Sequence, residues 1–352
     1  MADSTRRKCL KAACSLICAP LLGAGCRGGH RDEKTAHTPA AAPEAFEPGY
    51  VALHRSGELR KRATQLWEQM RSCTLCPRVC GVNRIDGEKG FCRADARLKI
   101  ASFNPHFGEE RPLVGRGGSG TIFFSNCSLR CVFCINWEVS QGGEGRPYSI
   151  DDLAAMMLTL QRRGCHNINV VTPTHYSAHI LMALDKAAAQ GLRLPLVYNT
   201  CGWEQGEVMA LLDGIVDIYL PDFKFACEDD ARTYLRGAGA YPKVTANAFL
   251  EMHRQVGVAR PAPDGLIYRG LMIRHLVMPN RVGDSKGVLE WIGANLPKDS
   301  YINIMSQYTP YFEAKDHPDI ARRITAREYT EVVEWARAAG LTNLDIQGVP
   351  RH

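Results

Sequence analysis

Long apolar runs are missing from most of this chain. Past residue 30 no stretch holds the ~20 uninterrupted apolar residues that a membrane helix needs, so nothing in the main body is expected to span a bilayer. Net charge is also scarce. The 352 residues carry +6, yet residues 1–31 alone hold six basic side chains (Arg6, Arg7, Lys8, Lys11, Arg27, Arg31) against Asp3. About +1 is left for the rest of the chain, which gives no support to nucleic-acid steering. Large apolar side chains are nearly absent from residues 27–48, a stretch rich in Ala, Pro and charge. Such a segment cannot bury a core and reads as a flexible linker. Elsewhere, 45% hydrophobic and 23% charged residues fit a globular protein, either one large α/β barrel with a small extra piece or two ordinary domains.

What is present begins with a leader, residues 1–26, with a charged start, an apolar stretch from Ala12 to Leu22 and small residues before Cys26. It reads as an export signal. Thr5 to Lys11 is similar to a twin-arginine signal, with Cys9 where an aromatic is usual. Gly25-Cys26 is similar to a lipoprotein processing site, with Gly23 where Leu is preferred. The expectation is export with membrane attachment through the N-terminus; the alternative is an uncleaved tail on a cytoplasmic enzyme.

Cysteine is abundant, and its clustering decides its meaning. Of 14 cysteines, four lie in the leader, four form C-x2-C-x3-C-x11-C (Cys73, Cys76, Cys80, Cys92) and three form C-x3-C-x2-C (Cys127, Cys131, Cys134). Three cysteines inside eight residues are too close for pairwise bridges to use them all, whereas thiolates on a short loop can converge on metal. A zinc knuckle or a ferredoxin loop answers to the same spacing. The first group lies among Pro77, Gly81, Gly87 and Gly90, where turns can fold four thiolates inward onto zinc or an iron-sulfur cluster, or into two disulfides. Cys165, Cys201 and Cys227 are scattered and read as ordinary, partly buried residues.

"NCSLRCVFCINWE" resembles the cluster loop of the radical S-adenosylmethionine (SAM) superfamily. The resemblance implies a 4Fe-4S cluster on Cys127, Cys131 and Cys134, with SAM on the fourth iron and Phe133 near its adenine. An electron from the cluster would then cleave SAM to a 5′-deoxyadenosyl radical. The surroundings agree. "SGTIFFSN" is a β-rich run just before the cysteines, and helical and strand segments then alternate through "NINVVTPTH", "LPLVYNTCG", "GIVDIYLPDFK", "LMIRHLVMP" and "YINIMSQY". Six such units predict an α/β fold: a partial TIM-type (β/α)6 barrel over residues 116–310, preceded by a Cys-rich extension over 49–115 and followed by a helix and tail over 311–352.

Over residues 70–310 the wording is similar to the pyruvate formate-lyase activating enzyme group within that superfamily. By this resemblance Asp222 and Lys224 match a strand end that contacts SAM or substrate, Arg274 a strand-five arginine near SAM, and Asn199 and Thr200 candidate ribose contacts. Thr172-Pro173-Thr174-His175 replaces the segment that receives the SAM amino group, so Thr172 and Thr174 are candidate SAM contacts. His175 is a candidate for catalysis or a satisfied structural histidine. The implied activity is hydrogen abstraction from a substrate, with a glycyl radical enzyme as the implied partner and a flavodoxin- or ferredoxin-type low-potential electron donor. The alternatives are a radical SAM enzyme acting on a small molecule or another peptide, and a non-catalytic iron-sulfur electron carrier.

Overall fold

The computed structural model describes residues 46–348; the leader and all but the last three residues of the linker lie outside the described residues. Nine strands form one sheet: β1 Lys99–His106, β2 Ser119–Phe124, β3 Arg146–Pro147, β4 Ile168–Val171, β5 Leu196–Thr200, β6 Ile218–Pro221, β7 Gly270–Leu276, β8 Tyr301–Met305 and β9 Leu344–Ile346. Their spatial order is β3-β1-β2-β4-β5-β6-β7-β8-β9. From β2 through β9 every neighbour is parallel. Helices cover this run, so its strands are buried on both faces and read as apolar runs rather than alternations; β8, "YINIM", is buried throughout.

The connections contain the expected helices, among them Ile150–Arg162, Ser177–Ala189, Gly206–Leu212 and Ser285–Asn295, while Glu228–Tyr234 and Tyr241–Val256 fill the long connection before β7. Ser149 starts the first of these through a capping box with Asp152. The two outermost strands, β3 and β9, do not pair with each other among the described residues, so the barrel is incomplete and open on one side.

Two features go beyond the sequence expectation. β1 runs antiparallel to β2 and extends the sheet ahead of the barrel, and the tail supplies β9. Asn104 and Pro105 hide β1, since both are poor strand formers; Pro105 fits because β3 pairs only with Lys99 and Ile100, leaving the rest of that strand's outer edge free. β9 has only three residues. The extension before the barrel contains helices Gly49–Arg55 and Glu58–Glu68, then a run of turns from Cys73 to Cys92. It packs into the same unit as the barrel.

Candidate active site

The loop leaving β2 turns sharply through Asn126 (φ 74°) and Arg130 (φ 59°), left-handed conformations that Asn accepts readily and Arg does not. These turns place Cys127, Cys131 and Cys134 on one wall of a cavity of about 520 Å³ at the C-terminal ends of the strands. All three thiols are unbridged. Gln141 Nε2 donates to the Cys131 carbonyl (2.7 Å), and Ser140 Oγ lies 3.2 Å from Cys134 Sγ. Burial pushes the Cys131 and Cys134 thiols up. Cys127 instead falls to about 6, chiefly because the Cys201 thiol hydrogen-bonds to it, while burial pushes the other way.

Three thiols at one wall fit a cluster better than a single ion. Among the described residues no group of three or more His, Cys, Asp or Glu side chains is arranged to hold one metal ion. An iron-sulfur cube binds each cysteine through a different iron and so accepts a wider set.

The strand ends complete the cavity. Phe133, Thr172, Asn199, Thr200, Asp222, Lys224 and Arg274 all line it. Lys224 Nζ donates to Asp222 at 2.5 Å, and although burial pulls Lys224 down, Asp222, with Cys131 and Tyr241 nearby, holds its pKa above the ordinary value. Tyr241, from the long connection, ties two strand ends together: its hydroxyl lies 2.9 Å from the Cys201 carbonyl and 2.8 Å from that of Asp222. Gly202 (φ 77°) allows this closeness, because a Cβ there would meet the Asp222 carbonyl at 2.5 Å.

Arg274 faces the cavity, but carboxylates hold its guanidinium. Nε and Nη2 each donate to Glu110 at 2.7 Å, Nη2 also donates to Glu109, and Nη1 reaches Asn199 at 3.3 Å. Glu110 also accepts from Asn303 on β8 (2.8 Å), so the segment after β1 crosses to the far strands.

Two expectations are corrected. Thr174 and His175 do not line the cavity, because the chain after Thr172 (φ 57°) and Pro173 folds into a 3-10 turn, Thr174–Tyr176, that tucks these side chains inward. Thr174 Oγ1 donates to buried Glu204 at 2.7 Å. His175 Nε2 is 2.8 Å from the Ser125 carbonyl, so that nitrogen carries the proton, and the His175 carbonyl accepts from Arg84 at 2.8 Å. Burial, with Arg84 nearby, pushes His175 to about 3 and keeps it neutral. It is a positioning residue that pins the start of the cluster loop.

Sequence reasoning missed Glu109, Glu110, Tyr241 and the role of Cys201. Cys201, which reads as an ordinary cysteine, lines the cavity beside Cys127; its position at the strand end in "YNTCG" is the available signal. Cys165 is buried and Cys227 half-buried, both away from the cavity.

The structure also brings Cys73, Cys76, Cys80 and Cys92 together, unbridged, with all but Cys80 buried. Burial raises Cys76 to about 12, and the charges of the other three add to the shift. Arg78 joins this set to the cluster loop. It donates to the carbonyls of Leu235 (2.9 Å), Arg236 (3.0 Å) and Ser128 (3.4 Å) and lies over the Phe91 ring at 3.8 Å.

The radical SAM superfamily matches residues 121–256. The chain is 33% identical over 281 residues to the uncharacterized protein MJ0674 of Methanocaldococcus jannaschii, covering 77% of this chain and 76% of that one. Among solved structures it is similar to SuiB of Streptococcus suis bound to S-adenosylmethionine (13% identity, TM-score 0.43, 63% of this chain). It spans about half of SuiB's length (48%). It is also similar to methylornithine synthase PylB (12% identity, TM-score 0.41, 64% of this chain and 69% of that one). The cysteine loop that opens the cavity lies within the matched span, and the chain belongs to the radical SAM superfamily.

Proposed function

We propose that this chain reductively cleaves SAM and uses the resulting radical to abstract hydrogen from a substrate. The observation that carries this is the convergence of Cys127, Cys131 and Cys134 with the polar strand ends on one cavity. Family membership implies the 4Fe-4S cluster and SAM. When bound, that cluster supplies the electron that splits SAM into methionine and a 5′-deoxyadenosyl radical.

The protein's own groups hold and orient. Cys127, Cys131 and Cys134 supply thiolates. Phe133, packed against Phe225 and Tyr308 at ring-centroid distances of 5.8 and 6.2 Å, offers a flat apolar face for an adenine. Asp222 and Lys224 place one charge of each sign at the cavity wall, matched to an ammonium and a carboxylate. Asn199, Thr200 and Thr172 add hydrogen-bonding groups.

For the substrate, a glycyl residue of a partner enzyme is the reading taken from the activating-enzyme resemblance. The cavity mouth supports a macromolecular substrate: Ile135 and Tyr311 are 61% and 41% exposed, and Trp137 stacks on Phe312 beside them. The polar wall of Ser102, Asn104 and His106 on β1 favours the second reading, a small polar molecule or another peptide. The four-cysteine set takes a second cluster, or zinc once its thiols draw in from positions that do not yet hold a single ion, and the leader directs export with membrane attachment. Among the described residues no helix is long and apolar enough to cross a membrane, so attachment would rest on the leader.

The test is anaerobic reconstitution with iron and sulfide, then dithionite and SAM, with assay of 5′-deoxyadenosine and methionine. Both products are expected from the native chain and neither from Cys131→Ala. Cluster-loaded protein that forms no 5′-deoxyadenosine would leave only the electron-carrier reading. Turnover by Cys131→Ala would overturn the cluster assignment.

A further inference from the structure

A second cavity, of about 500 Å³, lies behind the cluster loop and is lined by four cations, Lys89, Arg93, Arg97 and Lys99, against one carboxylate, Asp95. Asp95 is already committed: it accepts from Arg97 at 2.7 Å. Lys89 and Arg93 are exposed and have no ion-pair partner among the described residues. Lys99 donates to the Gly143 carbonyl and meets no carboxylate among the described residues. Of the nearby acids, Glu88 accepts from the Asn83 backbone amide at 2.8 Å, while Glu138 and Glu144 are exposed on either side of Gly142 and Gly143. The chain beyond residue 31 is close to neutral, so this hollow is a local excess of positive charge, and a concave wall concentrates its field.

Its place in the fold gives the charge a meaning. Gln141, on the wall, donates to the carbonyl of Cys131 at 2.7 Å and accepts from Arg93 at 3.3 Å. Asn126, also on the wall, directly precedes Cys127, and Arg93 directly follows Cys92. The hollow therefore lies one side chain behind the cluster-loop backbone and beside the four-cysteine set, and it shares no lining residue with the substrate cavity.

We propose that this basic hollow is the docking surface for an acidic one-electron carrier protein that reduces the cluster. The inference rests on the radical SAM reading, which requires an electron for each SAM cleaved. In the step itself one electron leaves the reduced carrier, which is oxidised by one, and the cluster is reduced by one; no bond is made or broken. Attraction between the cationic hollow and an acidic partner speeds encounter and fixes orientation, and it weakens with salt. Docking on this face leaves the cavity of Cys127, Cys131 and Cys134 free for SAM and substrate.

The experiment uses the cluster-loaded full chain and a flavodoxin, an acidic protein, as the probe. Calorimetry measures binding of the oxidised flavodoxin at low ionic strength. Stopped-flow bleaching of the cluster measures reduction by the reduced flavodoxin and, separately, by dithionite. The double variant Lys89→Glu/Arg93→Glu is expected to weaken binding and slow reduction by flavodoxin about tenfold or more, with dithionite reduction unchanged. Lys243→Glu, an exposed change of the same sign on the helix Tyr241–Val256, is the control and is expected to change neither. Native binding that vanishes toward physiological salt supports the proposal.

The proposal is overturned if the native chain fails to bind, if the double variant behaves as native, or if Lys243→Glu loses as much. Inorganic phosphate bound in the hollow without slowing flavodoxin would assign it to a small anion and overturn it as well. Failure of the radical SAM reading is seen separately, as absent 5′-deoxyadenosine with dithionite.

Discussion

Glu204 sits beneath the cavity and accepts from Thr174, from Thr200 and, at 3.5 Å, from Tyr198. Burial raises its pKa to about 7, with the hydroxyls pulling the other way. An unfolded glutamate titrates near 4.3, so between roughly pH 4 and 7 the folded chain keeps a proton that the unfolded chain has lost. This contribution to stability is full at low pH and disappears as pH rises through 7. In urea denaturation across pH 5 to 8, Glu204→Gln is expected to flatten that part of the decline, and an unchanged slope would count against the assignment. Glu110 gives a second test at this scale. Glu110→Ala removes the bidentate partner of Arg274 and leaves it Glu109 alone, and a loss of about 1–3 kcal/mol in the urea midpoint analysis is expected. The three cluster cysteines could be read in the sequence because their ligand spacing is local. Arg274 with Glu110, and Cys127 with Cys201, could not, because those partners stand far apart in the chain and meet only when the barrel curves.

Elements were legible where they repeat and obscure where they do not. The six parallel strands announce themselves as buried apolar runs between amphipathic helices, whereas β1 carries Asn104 and Pro105 and β9 is three residues long. The short turn after β4 misled for a related reason. A strand end normally presents its next side chains to the cavity, but Thr172 in a left-handed conformation redirects Thr174 and His175 into the core. The turn-rich run from Cys73 to Cys92 is an element without regular structure, held by side chains. Arg78 is its main tie to the cluster loop, so Arg78→Ala is expected to cost about 1–3 kcal/mol and to speed iron loss to a chelator several-fold. Arg78→Lys is not expected to restore the native rate, because an ammonium lacks the planar fork that reaches several carbonyls.

At the scale of the whole molecule, two thiol sets share one body, and metal analysis separates them. Cys131→Ala should remove the iron of the barrel cluster and leave the content of the first set, while Cys76→Ala should do the reverse. A drop of about four irons per chain in Cys76→Ala would mark a second cluster, and a drop of one zinc would mark a structural ion. The family was legible from one motif and its surrounding order of strands. The substrate was not, since the same barrel presents an apolar mouth and a polar wall, and chemistry is grafted onto such folds locally.

Arg78 and Arg84 reach from the segment ahead of the barrel to backbone carbonyls on both flanks of the cluster loop, Ser128 in the loop itself and His175 in the turn that pins its start. The barrel is thus not a module that can be cut free or transplanted. A chain begun at residue 116 would keep all three cluster cysteines and lose the guanidinium groups that brace their loop. Removing the segment ahead of the barrel is therefore expected to loosen the cluster loop although every cluster cysteine remains.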